Sequence, residues 1–147
     1  MKQFFGQYIL GAVMFYKITG TLIAKQGGRA ALEVGGVAFE INLSLDTYAK
    51  VKLGEICSFY THFVIREDAA ALFGFNTLKE KELFLLLISV SKVGPKLALA
   101  VLGNIEYNEL ISAIGAKDIA RLSMVAGVGK KTAERIILEL ADKLPTH

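Results

Sequence analysis

The chain has 147 residues, 53% hydrophobic and 21% charged, which is enough to bury a core as one ordinary domain or two small ones and too apolar for a disordered polypeptide. Its net charge of +3, from 17 basic and 14 acidic residues, excludes nucleic-acid binding through bulk charge, so such a role needs basic residues gathered in one place. One cysteine, Cys57, and two distant histidines, His62 and His147, exclude an intrachain disulfide and a Cys/His-rich metal centre. Cys57 reads as a small buried hydrophobe in a reducing compartment, and neither a metal nor a cofactor is expected.

The opening run, "MKQFFGQYILGAVMF", is broken by Gly6 and Gln7 and lacks a small-residue cleavage site, which argues against a signal peptide. It is also shorter than the roughly 20 apolar residues of a membrane-spanning helix. Residues 1–13 are therefore read as an extension or alternative start, with the domain beginning at Met14. From Met14 to Asn76 the pattern is that of strands: "FYKITGTLIA", then "AALEVGGVAFEINL" as two strands hinged at Gly35-Gly36, then "ICSFYTHFVI" and "ALFGFN". These segments are rich in Val, Ile, Phe, Tyr and Thr, and a Gly-Gly pair between them reaches positive φ without steric cost. Five short strands fit a small barrel.

At Thr77 the period changes to that of helices and stays so to Leu144. Thr77 and Glu80 form a capping box before "LKEKELFLLLISV", and "PKLALAVL", "YNELISAI", "KDIARL" and "KKTAERIILELADKL" follow as helical segments. The class is α+β, a strand domain over 14–76 and an all-helical domain over 77–144. The helical half repeats itself: a slide of 35 residues sets Leu87 on Leu122, Val90 on Val125, Val93-Gly94 on Val128-Gly129, Lys96 on Lys131 and Ala98 on Ala133.

Each copy reads as a helix, a tight turn containing glycine, and a second helix with lysine in its first turn. First-turn amides have no intrahelical acceptor and the helix dipole adds positive partial charge, so such a start holds an anion. Ser91, Lys92, Gly94 and Lys96 belong to the first copy, and Gly127, Gly129, Lys130, Lys131, Thr132 and Arg135 to the second. They are the candidate phosphate-binding residues. Two nucleotide motifs fail here. A phosphate loop around Gly129 would need Gly at Met124 and Ser or Thr at Lys131, and a dinucleotide fingerprint would need Gly at Thr132 beside a parallel sheet.

The paired turns resemble helix-hairpin-helix motifs, which grip a nucleic-acid backbone without reading bases. Together with "EVGGVAFEI", "THFVIREDAAALFGF" and "VGPKLALAVL", in that order over Met14 to Leu144, they resemble the RuvA family of Holliday-junction-binding subunits of the bacterial branch-migration machine. The resemblance implies an OB-fold barrel followed by tandem helix-hairpin-helix motifs, and a tetramer or octamer holding an open four-way DNA junction. It also implies a RuvB-like ATPase motor and a RuvC-like resolvase as partners, a cytoplasmic location, and no catalysis by the chain itself.

Arg66-Glu67-Asp68 separates two apolar runs and reads as a solvated turn; by the resemblance, Glu67 and Asp68 match an acidic pin near the junction crossover. The chain departs from the family at Lys92, where glycine is usual. A side chain in left-handed geometry costs on the order of 1 kcal/mol, and a phosphate contact by Lys92 would offset it. The chain also ends at "KLPTH", with residues 145–147 as a tail, where the family continues to a third domain that binds the motor. Motor binding is accordingly expected to be weak. Two other functions are weighed. A helix-hairpin-helix glycosylase or nuclease has only Asp142 as a catalytic candidate, and a single-strand binder would need Tyr16, Phe39, Phe59, Tyr60 and Phe63 as a stacking platform, although aromatics at strand spacing are more often core.

Overall fold

The computed structural model describes residues 14–144; the readings for residues 1–13 and 145–147 lie outside them. Five strands, β1 (Lys17–Gln26), β2 (Arg29–Val34), β3 (Val37–Leu43), β4 (Ile56–Ile65) and β5 (Ala70–Phe75), close a barrel in the order β1-β2-β3-β5-β4. All pairs are antiparallel except β3 with β5. β2 and β3 turn at Gly35-Gly36, with φ of 56° and 86°, and pair from Val34↔Val37 back to Arg29↔Asn42.

Alternation sends Ile18, Leu22, Leu32, Ile41, Phe59 and Leu72 inward to a buried core. Where β3 meets β5, a Cβ on Gly74 would come within 2.6 Å of Ile41 Cγ2, so a side chain there would hold the parallel pair apart. A six-residue helix, α1 (Leu45–Lys50), links β3 to β4. The strand pattern does not announce it. Ser44 caps it by accepting from Thr47 N–H, and Lys50 pairs with Asp46 across one turn. Lys25 Nζ donates to the Tyr48 and Val51 carbonyls at its end, 2.6 and 2.8 Å away.

The helices are α2 (Leu78–Ser89), α3 (Pro95–Asn104), α4 (Tyr107–Gly115), α5 (Ile119–Ser123) and α6 (Lys130–Leu140). At the start of α2, Glu80 N–H donates to Thr77 Oγ1 at 3.2 Å, and the Glu80 carboxylate accepts from Asn76 N–H at 3.0 Å. The reciprocal cap is thus present, shifted by one residue. The chain divides into two compact units, Met1–Lys81 and Glu82–His147. In the second, Phe84, Leu87, Val101, Leu110, Ile114, Leu122, Ile136 and Leu140 form the buried apolar set. Among the described residues no single helix is long and apolar enough to cross a membrane.

Candidate nucleic-acid interface

The two turns of the helical unit repeat each other bond for bond. In the first, Val90 N–H donates to Leu87 O (3.1 Å), Val93 N–H to Val90 O (3.1 Å) and Ala98 N–H to Gly94 O (3.0 Å). In the second, Val125 N–H donates to Leu122 O (3.2 Å), Val128 N–H to Val125 O (2.9 Å) and Ala133 N–H to Gly129 O (2.9 Å). The residues that make these bonds are also the ones that repeat in sequence, because both valines of each turn and the alanine one helical turn on are buried. Ala98 and Ala133 have no exposed surface at all, and a larger side chain there would push the helix off its turn.

This buried frame leaves the glycines and cations outside. Gly94 and Gly129 are the N-caps of α3 and α6, with φ/ψ of −87°/171° and −80°/172°, and neither supplies a side-chain cap. The amides that begin each helix therefore have no intrahelical acceptor and point outward as anion donors. Ser91, Lys92, Lys96, Lys130 and Lys131 are exposed, while Thr132 and Arg135 are half-buried. Each turn thus joins a helix N-terminus to lysines within one helical turn, an arrangement suited to a phosphate group.

The turns differ at the residue that takes left-handed geometry. In the second it is Gly127, φ 89°; in the first it is Lys92, φ 67°, so the strain expected of Lys92 is present in the backbone. Each turn also lies close to the other motif, which no local pattern indicated. A Cβ on Gly127 would lie 3.2 Å from Leu97 Cδ1 of α3, and Ser91 N–H donates to Glu139 Oε2 of α6 at 3.3 Å.

In the barrel unit, Arg66, Glu67, Asp68 and Ala69 form the exposed tip of the β4–β5 hairpin, closed by Arg66 N–H donating to Ala69 O at 2.7 Å. The two carboxylates are exposed at the end of this two-stranded arm. The aromatics do not make a platform. Phe59 is buried, Phe39 and Phe63 pack against the core with Phe15, and Tyr16 meets Tyr60 edge to face at 6.0 Å. Lys17 and Lys81 lie over the rings of that tyrosine pair, 5.1 Å from Tyr60 and 4.7 Å from Tyr16. Burial holds Lys81 below the ordinary lysine range, and burial together with the Lys81 charge lowers His62. The sequence pattern assigns neither residue to a site, and Lys81 is buried.

Cys57 is half-buried against the barrel core, less enclosed than its residue type suggested. Burial first, and Glu55 second, push its thiol above the usual range, so it is a poor nucleophile. Asp142 is exposed in the turn after α6, open to solvent rather than set in an enclosure that could hold a base. Among the described residues no group of His, Cys, Asp and Glu could hold a metal ion.

Residues 14–74 match the family of the RuvA N-terminal domain, and residues 84–142 match the SAM-like helix-hairpin-helix tandem. The chain is 43% identical over 132 residues to the Holliday junction branch migration complex subunit RuvA of Methylibium petroleiphilum, covering 89% of this chain and 69% of that protein. It is 42% identical over 132 residues to the subunit of that name from Vibrio cholerae (89% and 65%) and 44% identical over 131 residues to that of Pseudomonas putida (88% and 64%). The chain spans about two thirds of the length of these relatives.

Proposed function

The chain belongs to the RuvA family, and on that premise we propose that it binds four-way (Holliday) DNA junctions through their sugar-phosphate backbones, as the non-catalytic scaffold of a branch-migration complex. The observation that carries this reading is the duplicated turn: two glycine-capped helix starts with the same hydrogen bonds, each exposing outward amides and lysine. Gly94 and Gly129 let a phosphate approach the amides of α3 and α6. Lys96 in one motif, and Lys130, Lys131, Thr132 and Arg135 in the other, supply charge and a hydroxyl. Such contacts meet phosphate oxygens and no base edges, so binding is independent of sequence.

Four copies of the chain around one junction would set these grips along the arms. Glu67 and Asp68 would then act by repulsion. A carboxylate about 6 Å from a phosphate is opposed by about 0.7 kcal/mol in water-like dielectric, and by several times more where water is excluded. Several such tips together would disfavour an unbroken duplex at the crossover and keep the arms parted. The sequence holds no phosphate loop for ATP, so an ATP-driven partner would supply the energy for branch movement.

Gel-shift competition of a four-way junction against duplex and single-stranded DNA across salt, with the mass of the free protein, tests the reading. Preference for the junction and a multiple of the 16.0 kDa chain mass are expected; equal affinity for the three DNAs would defeat it. Glu67→Gln with Asp68→Asn should raise affinity for plain duplex and narrow the preference for the junction. An unchanged preference would remove the acidic tip from the mechanism.

A further inference from the structure

We propose that Glu139 is a positioning residue for the first turn, clamping the segment in which Lys92 takes left-handed geometry and so presenting the start of α3 to a phosphate. The inference rests on the reading above, in that a phosphate grip is what the clamp would position. The Glu139 carboxylate reaches across 48 residues of sequence to accept from Ser91 N–H at 3.3 Å, the amide next to Lys92.

The two motifs provide an internal control. The residue 35 positions before Glu139 is Asn104, and its side chain does not reach the second turn; Asn104 Nδ2 donates to Ala100 O of its own helix at 2.7 Å. The second turn has Gly127 at its left-handed residue and needs no clamp to hold that geometry. The first has a lysine, which on its own favours right-handed or extended backbone. A carboxylate brace thus stands where the backbone is strained and is missing where it is relaxed. The bond also occupies the Ser91 amide, so Ser91, a candidate for DNA contact by sequence, gives its N–H to the protein. The amides of Lys96 and Leu97 and the exposed ammonium groups of Lys92 and Lys96 remain for a phosphate.

The test combines amide hydrogen exchange in the free full chain with junction binding. Glu139→Ala should speed exchange at Ser91 several-fold, leaving Val128 and Ala133 unchanged, and should weaken junction binding about three- to tenfold, the net scale of one ordinary hydrogen bond. Glu139→Gln keeps an acceptor oxygen and should retain most of both. The decisive arm repeats Glu139→Ala in a Lys92→Gly background, where the loss of affinity should shrink below about twofold because glycine needs no clamp. Equal losses in the two backgrounds, unchanged exchange at Ser91, or tighter binding by Glu139→Ala would each overturn the proposal. If the native chain shows no junction preference, the functional reading fails, and the exchange measurement still decides whether Glu139 holds the turn.

Discussion

The first and second turns agree wherever their side chains are buried and part where they meet solvent. Val90 and Val125, Val93 and Val128, and Ala98 and Ala133 sit in matching bonds and matching burial, whereas Lys92 stands where Gly127 does, Pro95 where Lys130 does and Leu97 where Thr132 does. The frame is therefore set by packing, and the chemistry is written on its surface. The surfaces are unequal. Pro95 has no N–H, so α3 offers one amide fewer than α6. The second turn gathers Lys130, Lys131, Thr132 and Arg135, and the first has Lys92 and Lys96. The second turn gathers more cationic and hydroxyl groups on a more relaxed backbone, and the first carries one of its charges at a strained position.

The largest test of this contrast is to give the second turn the first one's residue. Gly127→Lys places a side chain at φ 89° with its Cβ 3.2 Å from Leu97 Cδ1. Left-handed strain and the displaced leucine together should cost about 1–3 kcal/mol, read as a fall in thermal midpoint of several degrees. A midpoint within about 1 °C of the native chain's would mean that the turn relaxes and that the contrast with Lys92 is superficial.

The reverse change should act more weakly. Lys92→Gly relieves left-handed strain but adds backbone freedom to the unfolded chain, so the net gain in stability should be about 0.5–1 kcal/mol. If Lys92 neutralises a phosphate, its removal should make the slope of log affinity against log salt shallower by about 0.9. A stability gain with an unchanged slope would show that the lysine faces away from DNA.

Most of this architecture is legible in the sequence, for reasons that also explain what is not. β-branched and aromatic runs broken by Gly35-Gly36 mark the strands, because a half-buried pleated surface selects those residues. The 35-residue repeat marks the two turns, because the buried Val and Ala positions of their shared frame tolerate little variation. Helix α1 escapes because six residues are too short for periodicity to show, although Ser44 and the Asp46/Lys50 spacing are its cap and its pair. The Ser91–Glu139 and Gly127–Leu97 pairs escape because their members are brought together by packing across the repeat. Lys81 escapes because its burial under Tyr16 depends on the tyrosine's place beside β4, which a surface lysine in "TLKEKELF" does not announce.

The smallest expected change in stability sharpens the contrast most for binding. Lys130→Pro copies Pro95 into the first helical position of α6. Proline fits there because that amide has no intrahelical acceptor, provided the residue before it is extended. Gly129, at φ −80° and ψ 172°, already has nearly the backbone of Gly94, at −87° and 171°, which precedes Pro95 in this chain. The thermal midpoint should therefore move by no more than about 0.5 kcal/mol in equivalent stability, within the range of ordinary surface changes. Binding should respond differently, because the substitution removes one outward amide and one ammonium from the grip. Junction affinity should fall, and the salt slope should become shallower by about 0.9 for the phosphate that Lys130 no longer neutralises. A large fall in stability would show that the two helix starts are not interchangeable, and an unchanged slope would take Lys130 out of the phosphate grip and leave Lys131 and Arg135 to hold it.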